Sequence, residues 1–165
     1  MSELIIRPAR PDELPEVGRL TVSAYQASGI AAGNGPYAQK LADAEVRSRE
    51  AELLVAVDAD SSVLGTVTIA PPGSPWVQVA GPGELEFRML AVSPAARGRG
   101  VGEALTRAVL DRAGELGLRS VVMSSSSEML TAHRLYERLG FHRTPDLDWQ
   151  PTPQTRLLTY RLNLP

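Results

Sequence analysis

The stretch Leu90–Leu105, LAVSPAARGRGVGEAL, decides how this chain is read. Within it, Arg97 to Gly102 place two arginines and three glycines in six positions. The apolar run FRMLAV (Phe87–Val92) ends just before it. Downstream, Leu105, Ala108, Val109, Ala113 and Leu116 recur at helical spacing, with Gly117 as the natural C′ stop. The pattern predicts a strand that ends at Val92, a turn of small residues, and a helix that begins near Gly100. The first turn of a helix exposes N–H groups without intrahelical partners. Together with the helix dipole, worth ~0.3–1 kcal/mol per charge, they attract anions. Gly98, Gly100 and Gly102 let a phosphate approach the backbone. Arg97 and Arg99 add charge-assisted donors. The stretch is a candidate diphosphate cradle; a surface turn with solvated arginines is the alternative.

Two other glycine-rich cradles drop out. A P-loop needs Lys and then Ser or Thr after its last Gly, whereas Glu103 and Ala104 follow here. A dinucleotide fingerprint begun at Gly98 needs Gly where Glu103 stands, and one begun at Gly100 needs Gly or Ala where Leu105 stands. The surviving pattern is Arg97-x-x-Gly100-x-Gly102.

Outward from this junction, ELIIRPA (Glu3–Ala9) reads as a first strand. Leu14, Val17, Leu20, Val22 and Tyr25 give a helical stripe with Asp12 as N-cap, and a second helix is expected over about Tyr37 to Ser48. AELLVAVD and SSVLGTVTIA meet at a turn around DADSS as an antiparallel hairpin. PPGSPWVQVAGPG (Pro71–Gly83) is a long connection in which Trp76 looks exposed, and ELEFRMLAV is the next strand. LRSVVMS reads as a central strand, SEMLTAHRLYERLG as a helix stopped by Gly140, and FHRTPDLDW and TRLLTYRLNL as two last strands. That is seven strands and four helices in the order β-α-α-β-β-β-α-β-α-β-β, one domain over residues 1–165.

Composition narrows the class. The 165 residues are 43% hydrophobic and 22% charged, with net charge −2, so there is no global basic footprint for nucleic acid. Without cysteine there is no disulfide, thiolate metal site or Cys nucleophile, and two histidines make a His-based zinc site, or any metal, unexpected. MSELIIRPARPDEL has no basic n-region or long apolar core, and no apolar run reaches the ~20 residues of a membrane span. A cytoplasmic protein without membrane partners is expected.

Arg-x-x-Gly-x-Gly after a strand and opening a helix resembles the coenzyme A motif of the GNAT superfamily of N-acetyltransferases. AHRLYERLGF (Ala132–Phe141) is similar to that family's second signature, a helix carrying Leu-Tyr and ending at Gly-Phe. The element order fits as well. The resemblance implies a layered α/β fold with a mixed, mostly antiparallel sheet of about six or seven strands and about four helices. It implies acetyl-CoA as co-substrate and a primary amine of a small molecule or peptide as acceptor. A non-catalytic acyl-CoA-binding or sensing module with the same fold is the alternative. The chain would be a monomer or a homodimer, the dimer pairing through its C-terminal strands.

By the same resemblance, the diphosphate sits on the backbone of Arg97, Gly98, Arg99, Gly100, Val101, Gly102 and Glu103. The pantetheine arm runs along Leu90, Ala91 and Val92, and the Leu90 amide polarises the thioester carbonyl. Tyr136 is the acid for the departing thiol, its unperturbed pKa of ~10 keeping it protonated, or it packs under the cofactor. Glu86, four residues before Leu90, is the base or a substrate anchor. Strand alternation places Glu84, Glu86, Arg88 and Leu90 on one face, so Arg88 is a partner for Glu86. Where many members carry Asn seven residues before the Tyr, this chain has Met129. Ser125, Ser126 or Ser127 replaces its bond, or Ser125-x-x-Glu128 caps the helix, the reading favoured here. His133, three residues before Tyr136, faces the same site or, the reading favoured here, lies at the surface; His142 is expected to be exposed. Tyr25, Tyr37 and Trp76 would line the acceptor site, or Trp76 is a lid over its own loop's core. Neither flanking loop carries an acid, which disfavours polycationic acceptors.

Overall fold

Hydrophobic alternation and turn chemistry build the first half of the sheet as expected. The structure is a computed structural model and describes residues 3–27 and 35–165. β2 (Glu52–Val57) and β3 (Val63–Ala70) form the hairpin, closed by Asp58, whose Oδ1 accepts from the amides of Asp60 and Ser62. β1 (Ile5–Pro8) adds antiparallel to β2, and β4 (Glu84–Val92) adds antiparallel to β3. After α4 (Val101–Glu115), β5 (Ser120–Ser126) returns parallel to β4. α5 (Leu130–Leu139) leads to β6 (His142–Arg143), β7 (Trp149–Thr152) and β8 (Thr155–Asn163). The sheet runs β1-β2-β3-β4-β5-β8-β6, with β7 also on β8. The penultimate strand expected over 141–149 is broken by a 3-10 turn at Pro145–Leu147, which gives eight strands instead of seven. β8 meets β5 on one edge and β6 and β7 on the other, so its edges are occupied within the chain.

Three helices cover one face: α1 (Leu14–Ala27), α2 (Pro36–Ala42) and α3 (Ala44–Glu50). The single helix expected over 37–48 is two. Asp43 leaves helical conformation (φ −86°, ψ 69°) and its side chain accepts from the Val46 amide, capping α3. α1 starts later than Asp12 suggests. Glu13 accepts from the Arg10 amide at 2.8 Å and holds the Arg7 guanidinium by two bonds of 2.8 Å, ordering a 3-10 turn before Leu14.

The other face carries α4 and α5. Val101, Leu105, Val109 and Ala113 pack with Phe87, Val121 and Met123 of the sheet in the main core. Gly65 of β3 admits α4: a Cβ there would lie 2.7 Å from Val101 Cγ1 and 3.0 Å from Leu105 Cδ1. No helix among the described residues is long and apolar enough to cross a membrane.

Candidate active site

Glycine conformation shapes the loop between β4 and α4. Gly98 (φ +79°) and Gly100 (φ +77°) are left-handed, and an added Cβ at either would meet nothing within 4 Å. Gly100 is the N-cap of the fifteen-residue α4, whose first residue, Val101, is buried. Arg97 and Arg99 are exposed and make no ion pair or side-chain hydrogen bond among the described residues. Open glycines, an exposed helix start and two unengaged guanidinium groups fit a diphosphate. Gly102 also has a packing role. A Cβ there would lie 3.3 Å from Leu135 Cδ2 and 3.7 Å from Val92 Cγ2, so it brings α4 close to α5 and β4. Glu103 reaches Arg107 and Arg138 at 3.3 Å each, tying α4 to α5.

The two central strands part beside this turn. β4 and β5 pair only at Glu84–Ser120, Leu85–Val121 and Glu86–Val122. Beyond them β4 follows β3 as far as Val92, while β5 follows β8 as far as Ser126. Leu90, Ala91 and Val92 therefore lie on the separated part of β4. There Thr68 faces Arg88 and Thr66 faces Ala91, which puts a bulge at Met89–Leu90, with Met89 at φ 57°. The bulge overturns the alternation assumed from sequence. Met89 joins the Trp76 cluster, while Leu90 and Val92 pack toward the main core, so Leu90 does not share the face of Glu86.

Glu86 is fully buried and is not paired with Arg88. Its Oε1 accepts from three consecutive amides, Gln78 and Val79 at 2.8 Å and Ala80 at 3.0 Å. Its Oε2 is buried without a partner among the described residues. Arg88 instead lies over the Trp76 ring, 5.3 Å from its centroid, and donates to the Trp76 carbonyl at 3.3 Å. Glu84 is structural: it binds Arg161 at 2.7 Å, Ser120 and the Gly81 amide. Burial alone would raise its carboxyl pKa, but these donors hold it below the usual carboxylate value.

Tyr136 of α5 is buried over the strand opening. Its ring stands edge-on to Phe87 of β4 at 5.9 Å and 5.9 Å from Tyr160 of β8, with Phe141 at 5.8 Å. Its hydroxyl has no hydrogen-bond partner among the described residues. Burial is the main reason its pKa rises further above 10, so the phenol stays protonated at neutral pH. His133 is not at the surface. It is buried, hydrogen-bonds the Ser126 carbonyl at 3.0 Å and packs at a tilt against the Tyr160 ring, centroids 5.4 Å apart. Burial lowers its pKa, with partial opposition from the Ser126 bond. His142 is exposed as expected. The serine run caps no helix, because Ser124 to Ser126 belong to β5 and Met129 occupies the N-cap of α5. Ser125 Oγ is buried without a partner among the described residues.

On the opposite face a cavity of about 510 Å³ opens between α2, α3 and the connection before β4. Trp76, Gln78, Arg88, Lys40, Asp43 and Glu50 are among its lining residues. Trp76 is 9% exposed rather than solvent-facing, because its indole donates to Glu50 at 3.1 Å and its ring packs with Leu41, Ala70 and Met89. Tyr25 and Tyr37 meet edge-on at 6.3 Å. Burial is the main reason the Tyr25 pKa rises, and Tyr37 adds to the rise. The acceptor loop expected at 26–38 falls largely on residues 28–34, which lie outside the described residues.

Asp43, Glu50, the 78–80 amides and Arg47 were missed from sequence. Arg47 continues the buried spacing Leu41, Ala44, and a charge on that stripe was the available signal.

Known proteins resemble this chain in sequence and fold. The acetyltransferase (GNAT) family profile matches residues 19–141. Mycothiol acetyltransferase of Cellulomonas flavigena is 31% identical over 132 residues, which is 72% of this chain and 36% of that protein. The chain thus spans about a third of this relative's length. The solved GCN5-related N-acetyltransferase from Kribbella flavida is 28% identical, with a TM-score of 0.72 over 98% of each chain. A Salmonella typhimurium protein solved with its cofactor acetyl-CoA shares the fold at 22% identity, with a TM-score of 0.68 over 99% of this chain and 95% of that one. A profile match over most of the chain, on a sheet that parts beside a left-handed glycine turn, places this protein in the acetyltransferase (GNAT) family.

Proposed function

We propose that the chain is an acetyl-CoA-dependent N-acetyltransferase acting on a primary amine. The observation that carries this reading is the seam between β4 and β5, which holds three residue pairs and then opens beside the Gly98–Gly100 turn. Arg97 to Glu103 would hold the diphosphate, and Leu90, Ala91 and Val92 the pantetheine arm through their backbone. The bulge at Met89–Leu90 interrupts the ladder with β3 and supports the Leu90 amide as the donor to the thioester carbonyl. When bound, acetyl-CoA supplies a thioester: a C–N bond forms to the amine and the C–S bond breaks. Tyr136 delivers a proton from its hydroxyl to the departing sulfur. Glu86 takes the amine proton at Oε2, the oxygen left without a partner when the three amides occupy Oε1. A buried acceptor without a partner calls for an explanation, and proton transfer supplies one.

The test is thiol release from acetyl-CoA on addition of an amine panel. Tyr136→Phe keeps the ring packing and removes the proton. It should lower kcat by roughly 10²-fold at unchanged Tm, as expected for loss of a general acid. Turnover by Tyr136→Phe equal to that of the native protein removes Tyr136 from the chemistry. Tight CoA binding with no amine-stimulated release would leave an acyl-CoA-binding module.

A further inference from the structure

The arginines of this chain are distributed unevenly with respect to acids. Six are buried or half-buried among the described residues: Arg7, Arg47, Arg88, Arg112, Arg143 and Arg161. Four of these meet a carboxylate, in Arg7–Glu13, Arg112–Glu52, Arg143–Asp148 and Arg161–Glu84. Arg47 and Arg88 meet none among the described residues, and both belong to the acceptor side of the sheet.

Arg88 lines the cavity beside Trp76, and its one hydrogen bond, to the Trp76 carbonyl, leaves most of its donors unused. Arg47 is fully buried. Its Nη1 donates to the Lys40 and Leu41 carbonyls at 2.7 and 2.9 Å, while Nε and Nη2 have no partner among the described residues. Burial pushes Arg47 down to about 10, and the charge of Arg88 adds a smaller push the same way, against Tyr25, Asp43 and Tyr37. The acids of the cavity, Asp43 and Glu50, are at its exposed rim with Lys40, and each already accepts a bond, from the Val46 amide and the Trp76 indole.

We propose that the acceptor is an amine bearing a carboxylate on the same or the adjacent carbon, and that Arg88 is the residue that holds this carboxylate. The inference rests on the acetyl-transfer reading and names its substrate class. Arg88 follows Glu86 by two positions on the same strand face, roughly 7 Å along the strand. A proton acceptor at Glu86 and an anion receptor at Arg88 are spanned by one short molecule carrying both groups. A guanidinium binds a carboxylate with two parallel bonds, and stacking on Trp76 fixes the plane in which it does so. The Arg47 cation, without an ion pair among the described residues, disfavours a dication, while the rim acids favour an ammonium at the entrance.

The experiment is titration calorimetry on the protein saturated with CoA, where no acetyl group is present to turn over. The probes are the common L-α-amino acids, each beside its α-amide and its decarboxylated amine. At least one acid should bind ten-fold or more tighter than its own amide. That preference should vanish in Arg88→Met, which keeps an apolar stem over Trp76, and survive in part in Arg88→Lys. CoA affinity should hold in both variants. Equal binding of acid and amide, or no binding by any amino acid, overturns the proposal. So does an undiminished preference in Arg88→Met. Because binding is read without turnover, a failure of acetyl transfer shows separately in the thiol-release assay.

Discussion

Replacing Glu86 by Gln and by Ala separates two duties that one carboxylate holds. Glu86 Oε1 accepts from the Gln78, Val79 and Ala80 amides at 2.8, 2.8 and 3.0 Å and so anchors the connection carrying Trp76. Bonds to a charged group contribute about 1.5–3 kcal/mol each, but water recovers part of this at half-exposed amides, so Glu86→Ala should cost about 2–4 kcal/mol. At this chain length that is a fall in Tm of roughly 5–15 °C. Glu86→Gln retains a carbonyl oxygen for the three amides. It places an NH₂ donor where Oε2 had no partner, a cost of about 1–2 kcal/mol and a few degrees in Tm. Neither variant can take a proton. If Oε2 is the acceptor, both lose roughly 10²–10⁴-fold in kcat, and the Gln variant does so while still folded and still binding CoA. The assays are thermal unfolding and thiol release, run on the same preparations. A Gln variant active within about three-fold of native would refute the proton role and leave Glu86 as an anchor of the loop. An Ala variant as stable as native would refute the anchor.

Other outcomes follow from single features. Gly100→Val puts a β-branched residue at φ +77° in open space, so the direct cost is conformational, about 1–2 kcal/mol. CoA affinity measured by calorimetry should fall ten-fold or more, and unchanged affinity would dismiss the turn as a phosphate cradle. Gly65→Ala drives a Cβ to 2.7 Å from Val101 and should destabilise by about 1–3 kcal/mol in urea unfolding, with no loss if α4 can shift. The Arg7 bonds are the main reason the Glu13 carboxyl sits at about 2, well below its ordinary value. A lowered carboxyl pKa gives stability that is present above the unfolded value and lost as pH falls through the folded one. Native protein should therefore lose about 1–3 kcal/mol between roughly pH 4.5 and 2 that Arg7→Met lacks throughout. Parallel acid titrations of the two proteins would contradict the pairing.

Which features were legible in the sequence depends on how far apart their causes lie along the chain. The turn was legible because Gly98 and Gly100 supply locally what a left-handed backbone needs, and the 3.6 period of Leu105, Val109 and Ala113 drew α4 almost to its ends. Tyr136 was located by its motif, and the structure adds the aromatic surround that fixes it. The face of Leu90 was misassigned because alternation holds only in an uninterrupted ladder, and nothing in ELEFRMLAV marks the residue inserted against Thr66 and Thr68. The break at Asp43 was masked by helix formers on both sides. The exposure of Trp76 and the partner of Glu86 were misjudged for one reason: their contacts come from the irregular connection 71–83 and from α3, which no periodicity encodes. Likewise Ser125-x-x-Glu128 has capping spacing, but pairing with β8 claims Ser125 first.

The three residue pairs between β4 and β5 have a mechanical consequence. An eight-stranded sheet joined across its middle at Glu84, Leu85 and Glu86 is two half-sheets on a short hinge, and torque between them concentrates at those rungs. Glu84 sits at that hinge and is clamped to Ser120 and Arg161 from the far half, so its ion pair works as a pin. The opening angle then sets the width available to an acyl group, and a change at the pin alters that width from the opposite end of the strands.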